Sequence, residues 1–519
     1  VGIYGTFVEM KNQLNIVMLF QRSSGILLHP TSFPSQHGIG DLGKSAYEFI
    51  DFLNRSGYKL WQILPLGPTG EEHSPYIMNY STFAGNPLMI NLEELAEEGL
   101  LEAEEILPLE GGNSDQVDFD QVISHKTFYL QKAYNSFKKQ LEKQPNPAWE
   151  TFCQKQAFWL NDYALFMSLL DANGNQAWNY WEPALARRDP DALKAKTEEL
   201  KESILYHKFL QFIFFKQWEE LRRYGNQKGV KIIGDISIYV CYNSVEVWAN
   251  PHLFQLNPDT LKPLYIAGVP PDFFSETGQL WGNPIYNWEE MQKTKFAWWI
   301  QRFKTTLEYA DYVRIDHFRA FEAYWSVSGD EKNAMKGEWI KAPGGEFFDL
   351  LKQELGNLPV LAEDLGIITP EVEQLRDHYN FPGMKILQFA FGGDANSVYL
   401  PHNYVQNCLV YTGTHDNDTA LGWWETASAK DQQHLAEYLG YLSPDEITNI
   451  NWVMIRLALS SIASLAIIPL QDMLNLGHNA RMNDPSNNAG NWRWRYQSSE
   501  LLTQELSDRL FKLNQLYGR

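Results

Sequence analysis

The chain has 519 residues, 44% hydrophobic and 21% charged, a balance that excludes a disordered or fibrous protein and leaves room for a sizeable core. Its net charge of −21 and pI near 5.0 would repel a phosphate backbone or an anionic lipid surface, which argues against nucleic acid and membrane as partners. A neutral ligand is easier to accommodate, and 18 Trp with 26 Tyr supply faces that stack on sugar rings as well as fill cores.

Residues 1 to about 20 lack a basic start and a small-residue cleavage site, and are read as an N-terminal extension of unknown role. Buried strands are predicted at 25–29, 59–64, 230–236, 311–316, 359–363, 385–390, 408–413 and 464–469, each a short apolar run bounded by turn residues. Amphipathic helical stretches follow several of them, at Ala46–Asn54, Trp298–Glu308 and Pro370–His378. This alternation predicts an α/β fold, a (β/α)8 TIM barrel, over residues 21–519 as one catalytic domain. Two insertions interrupt it: a helical one at about 92–225 and a Pro- and aromatic-rich, irregular one at about 240–295. Cys153, Cys241 and Cys408 are far apart and without metal-ligand spacing, which points to a reducing compartment, the cytoplasm or an equivalent plastid stroma.

Asp235, Asp316, Glu363 and Asp416 each stand at or just past the end of a predicted strand, where barrel enzymes carry their working groups. Any one of them alone reads as readily as a helix cap or an ion-pair partner. Four at one mouth ask for a chemical reason, because a carboxylate in a strand is costly unless paired. Glycoside chemistry needs two such groups, one to attack the anomeric carbon and one to protonate the departing oxygen. In Val313-Arg314-Ile315-Asp316-His317 the period of two puts Arg314 and Asp316 on one face, so a cation holds the attacking acid. Glu363 follows an apolar run that would desolvate it and raise its pKa, as an acid catalyst requires. Asp416, in Thr414-His415-Asp416-Asn417-Asp418, lies in a polar cluster suited to sugar hydroxyls and to a developing oxocarbenium charge.

Long blocks around these residues resemble the amylomaltase, or disproportionating-enzyme, family of 4-α-glucanotransferases in the α-amylase clan. They include GILLHPTSFP at 25–34, WQILPLGPTG at 61–70, AGVPPDFFSETGQLWGNP at 267–284, VRIDHFRAFEAYW at 313–325, VLAEDLG at 360–366, YTGTHDNDT at 411–419, and ARMN with GNWRWR at 480–495. The resemblance implies Asp316 as nucleophile, Glu363 as general acid and base, and Asp416 as transition-state stabiliser. It further implies that Arg314, His317 and His415 contact the sugar beside the cut, and that a loop at 267–284 arches over the groove with Asp272, Gln279 and Trp281. The resemblance also implies Tyr76 and Asn483 on the opposite wall. The implied partners are α-1,4-glucans, maltooligosaccharides and glucose. The chain departs from the family at Glu71-Glu72-His73, at Ser237, at Cys241-Tyr242-Asn243 and at Gly392-Gly393-Asp394.

Transfer and hydrolysis share the same first step, and a covering loop that excludes water favours transfer. The alternatives are a hydrolase of the same clan and a glucan-binding protein without catalysis. Gly38 to Ser45 formally satisfies both the GxGxxG and the phosphate-loop patterns, but Pro30 to His37 separates it from the nearest strand. It reads instead as a turn with Asp41 capping the first barrel helix. No metal or other cofactor is expected, since no His, Cys or carboxylate spacing asks for one.

Overall fold

The computed structural model describes residues 20–519 apart from 71, 113, 272–274 and 488. Among the described residues the strands are β1 (Ser23–Leu27), β2 (Leu60–Gln62), β3 (Lys231–Ile236), β4 (Tyr265–Val269), β5 (Gln279–Pro284), β6 (Tyr312–Ile315), β7 (Ala323–Ser328), β8 (Gly337–Lys341), β9 (Val360–Ala362), β10 (Gly383–Ile386), β11 (Cys408–Tyr411) and β12 (Leu465–Pro469). Eight form one parallel sheet in the order β10-β11-β12-β1-β2-β3-β6-β9. Its two edges meet where the Ala362 N–H donates to the Pro382 carbonyl at 3.0 Å, so the sheet is a nearly closed barrel. Helices cover its outside, which buries both faces of most strands and leaves near-continuous apolar runs in the sequence. The fold is the (β/α)8 barrel that the alternation predicts.

The helix Lys44–Arg55 shows how the outer layer attaches. Its apolar side chains Ala46, Phe49, Ile50, Phe52 and Leu53 recur at helical spacing and are all buried. Between β2 and β3 the chain forms a set of helices, the longest being Phe119–Lys143, Ala157–Ala172 and Lys201–Gln227. The last of these also packs against Lys44–Arg55 and leads directly into β3.

The segment at about 240–295 differs from its predicted irregular character. It contains β4 and β5, which join β7 and β8 in an antiparallel sheet ordered β5-β4-β7-β8. Glycine interrupts both of its strands, and β5 is largely half-buried, so neither shows the alternation that marks a strand in sequence.

Asp41 also differs from prediction. The residue at the N-cap of the first barrel helix is Gly43, with no side-chain cap. Asp41 instead accepts hydrogen bonds from the Gly43 N–H at 3.1 Å and from Asn91 Nδ2 at 2.9 Å. The neighbouring Gly40 has a steric role, because a Cβ there would lie 2.0 Å from the Pro30 carbonyl oxygen. Its place in the GxGxxG pattern follows from this close backbone approach.

At the opposite end of the barrel, Arg519 is buried and donates to the carbonyls of Ser23, Ala458, Leu459, Ser461, Ala463 and Ser464. Arg22 adds bonds to Leu459, Ala463 and Tyr517. Together they tie the start of β1 to the approach to β12.

Candidate active site

Parallel strands bring their carboxyl ends to one mouth, and Asp235, Asp316, Glu363 and Asp416 stand there, in or just after β3, β6, β9 and β11. Asp235 is the register partner of Arg314 across β3 and β6. Arg314 Nη1 donates to Asp235 Oδ2 at 2.6 Å and Nη2 to Asp316 Oδ1 at 2.9 Å. One guanidinium therefore serves two carboxylates, a planar fork that a lysine would not reproduce. Burial opposes its charge, and the Asp235 and Asp316 carboxylates more than offset that cost. For Asp235 itself, burial pushes the carboxyl up while the Arg314 guanidinium pulls it down. The Asp316 side chain retains 27% exposure, so it stays open to a ligand.

Glu363 follows β9, whose Ala362 pairs with Ile315 of β6, so the register sets Glu363 beside Asp316. Its oxygens accept from the His317 N–H at 2.6 Å and the Leu365 N–H at 2.8 Å. Burial, then the neighbouring Asp316 charge, pushes the Glu363 carboxyl up to about 8 against those N–H groups and Arg314. Burial thus favours the protonated form of Glu363 beside an Asp316 that Arg314 holds.

His317 adopts a left-handed backbone, φ 51°, which is rare outside glycine. That turn aims its N–H at Glu363 and its ring edge-on at Trp281 of β5, with centroids 4.9 Å apart. Burial, helped by the nearby Arg319, pushes the His317 ring down to about 3, so it is neutral. Trp281 Nε1 in turn donates to Gln279 Oε1 at 3.2 Å. Gln279 and Trp281 thus project from the small antiparallel sheet next to the acids, while Asp272 lies outside the described residues.

On the other side, the Tyr76 hydroxyl donates to Asp235 Oδ2 at 2.9 Å, and its ring stacks on His415 at 4.9 Å with planes 10° apart. Asn483 Nδ2 donates to Asp416 Oδ1 at 2.6 Å, and His415 Nε2 faces Asp416 Oδ2 at 3.3 Å. Asp416 is 44% exposed at its side chain and reachable from solvent. Asp418 pairs instead with His478 Nδ1 at 2.7 Å and accepts from the Thr419 N–H, so the predicted polar cluster divides between two sets of partners.

The structure gathers all the sequence-predicted site residues at this mouth except Asp272. It adds Arg481, whose Nη2 donates to the Asp416 carbonyl at 2.7 Å, and Trp492, 5.8 Å from Tyr76 and 5.9 Å from His415 between ring centroids. Both lie in blocks that carry the family resemblance, ARMN and GNWRWR, and that was their only signal in sequence. The position Glu72-His73 ends in a His73 ring stacked on Phe119 at 3.6 Å.

Fold and site together define a (β/α)8-barrel enzyme with its polar groups at the carboxyl ends of the strands. Residues 28–502 match the family model described as 4-alpha-glucanotransferase. A 4-alpha-glucanotransferase from Synechocystis sp. is 52% identical over 97% of this chain and 99% of its own. The chloroplastic/amyloplastic 4-alpha-glucanotransferase of Solanum tuberosum is 43% identical over 92% of this chain and 83% of its own. The solved structure of an amylomaltase from Streptococcus agalactiae in complex with acarbose superposes with a TM-score of 0.91 at 39% identity, over 96% of this chain and all of that one. The chain belongs to the 4-α-glucanotransferase, or amylomaltase, family, as its motifs imply, and is an enzyme of that activity.

Proposed function

We propose that this enzyme moves α-1,4-glucan segments to the 4-hydroxyl of glucose or another glucan by a retaining double displacement. Asp316 attacks the anomeric carbon while Glu363 gives its proton to the departing 4-oxygen, leaving a sugar–aspartate ester. An acceptor 4-hydroxyl then attacks the same carbon, returns its proton to Glu363 and releases Asp316. Asp416 stabilises the oxocarbenium-like transition states through the ring hydroxyls. Arg314, His317, His415, Tyr76, Asn483, Gln279, Trp281 and Asp272 hold the glucan. The observation that carries the reading is the β6–β9 register, which sets Glu363, its carboxyl pushed up by burial, beside an Asp316 held by Arg314.

Glucans as substrates are supported by the family's activity and by the acarbose named with the Streptococcus relative. Residues 21–519 act as one catalytic domain with insertions at about 92–225 and 240–295. No described helix is long and apolar enough to cross a membrane, and the cytoplasm or a plastid stroma fits the potato relative's chloroplastic name.

Incubation with maltotriose alone tests the proposal. Longer maltooligosaccharides should appear as a ladder, and Asp316→Asn and Glu363→Gln should each lose nearly all turnover. Glucose release matching bond loss one for one would make the protein a hydrolase. Binding without turnover would make it a glucan-binding protein.

A further inference from the structure

A cavity of about 20 Å3 lies beyond the end of β11, lined among others by His29, Thr414, His415, Asn417, Gln471 and Arg481. That volume suits one water molecule, which needs roughly 10–15 Å3 and two to four polar partners. Two of the lining residues bring a buried ring nitrogen without a hydrogen-bond partner, His29 Nδ1 and His415 Nδ1. His29 is only 6% exposed and His415 5%. Such orphans are rare in folded proteins, and both belong to residues that line this one small cavity, which makes a shared partner the economical explanation.

Among the described residues no group of three or more His, Cys, Asp or Glu side chains is placed to hold a metal ion, here or elsewhere. Arg481 forms part of the wall, and the two rings are kept neutral by burial, which pushes His29 down to about 3 and lowers His415 as well. The other face of His415 fixes which nitrogen is protonated. Nε2 confronts the Asp416 carboxylate at 3.3 Å, which favours the proton on Nε2 and leaves Nδ1 an acceptor. A donor must then reach Nδ1 from the cavity side.

We infer that a buried water bridges His29 Nδ1 and His415 Nδ1, fixing the His415 tautomer that presents an N–H to Asp416, and that His29 is thereby a positioning residue of the site. The water donates to His415 Nδ1, while His29 holds it in place. Without it, a His415 proton moving to Nδ1 would turn the Nε2 lone pair towards the Asp416 carboxylate and push that carboxylate away. Tyr76, stacked on the same imidazole, keeps the ring plane fixed, so the tautomer is the remaining freedom.

Three measurements test this. A high-resolution crystal structure of the unaltered enzyme should show an ordered water within hydrogen-bond distance of both Nδ1 atoms. Nitrogen NMR on protein grown with 15N-histidine, assigned by the loss of one signal set in His415→Gln, should show His415 neutral with its proton on Nε2. In His29→Phe, which fills the cavity with a ring that cannot hydrogen-bond, kcat should fall about tenfold, the scale of one hydrogen bond, with KM nearly unchanged and the His415 signals shifted. His29→Gln, which restores a polar partner, should recover most of the turnover. An empty cavity, a proton on Nδ1 in the unaltered enzyme, or His29→Phe with unchanged kcat and signals would overturn the inference. Should His29→Phe fail to fold, the density and the tautomer of the unaltered enzyme decide it. The kinetic arm rests on the proposed role of Asp416, and the other two do not: full turnover in Asp416→Asn would defeat that role and leave the water standing.

Discussion

Arg314 answers two carboxylates from one buried guanidinium, and replacing it should be felt twice. Arg314→Leu leaves Asp235 without its cation, at a cost of about 3–5 kcal/mol for a buried pair broken on one side. Urea unfolding should show that loss, and turnover should vanish with it because Asp316 is no longer held. Glu363 sets the pH dependence. In the proposed acid role it needs its proton, and burial pushes that carboxyl up to about 8, so kcat/KM should fall as pH rises through about 8, and a rate profile between pH 6 and 9.5 checks this. The pairing of Arg314 with Asp316 was legible in sequence because strand period alone puts residues two apart on one face. The bond from Tyr76 to Asp235 was not, since it depends on how the loop after β2 returns to the barrel. His29 was equally silent, being one residue inside an apolar motif.

The elements divide the same way. All eight barrel strands could be located from sequence, because a strand buried on both faces is a continuous apolar run, although the one predicted at 385–390 is Gly383–Ile386, and three of the outer helices followed from spacing. The antiparallel sheet could not, because β4 pairs with β7, far downstream in the chain. That sheet carries Trp281 to the ring of His317, and its contribution should appear as partition rather than chemistry. In Trp281→Ala the groove opens to solvent, so the ratio of hydrolysis to transfer on maltotriose should rise several-fold, roughly the effect of admitting competing water. Glucose counted against total cleaved bonds measures it. An unchanged ratio would remove Trp281 from the water-excluding role.

Across the whole molecule, charge and substrate are decoupled. The net charge of −21 gives no long-range pull on a neutral glucan, so kcat/KM should change by less than about twofold between roughly 0.05 and 0.5 M salt. The base of the barrel is equally remote from the chemistry. Arg519→Ala would strand several buried carbonyls, each worth about 1–3 kcal/mol when unpaired, so the urea midpoint should drop markedly while turnover per folded molecule holds. His317 draws these two demands into one residue. Its left-handed backbone costs of order 1–3 kcal/mol in a non-glycine residue, yet the strained turn is what aims its N–H at Glu363. Libraries sorted for heat resistance alone should therefore drift towards glycine or asparagine at this codon, while libraries sorted for growth on maltodextrin should keep histidine, and the two selections would part company there.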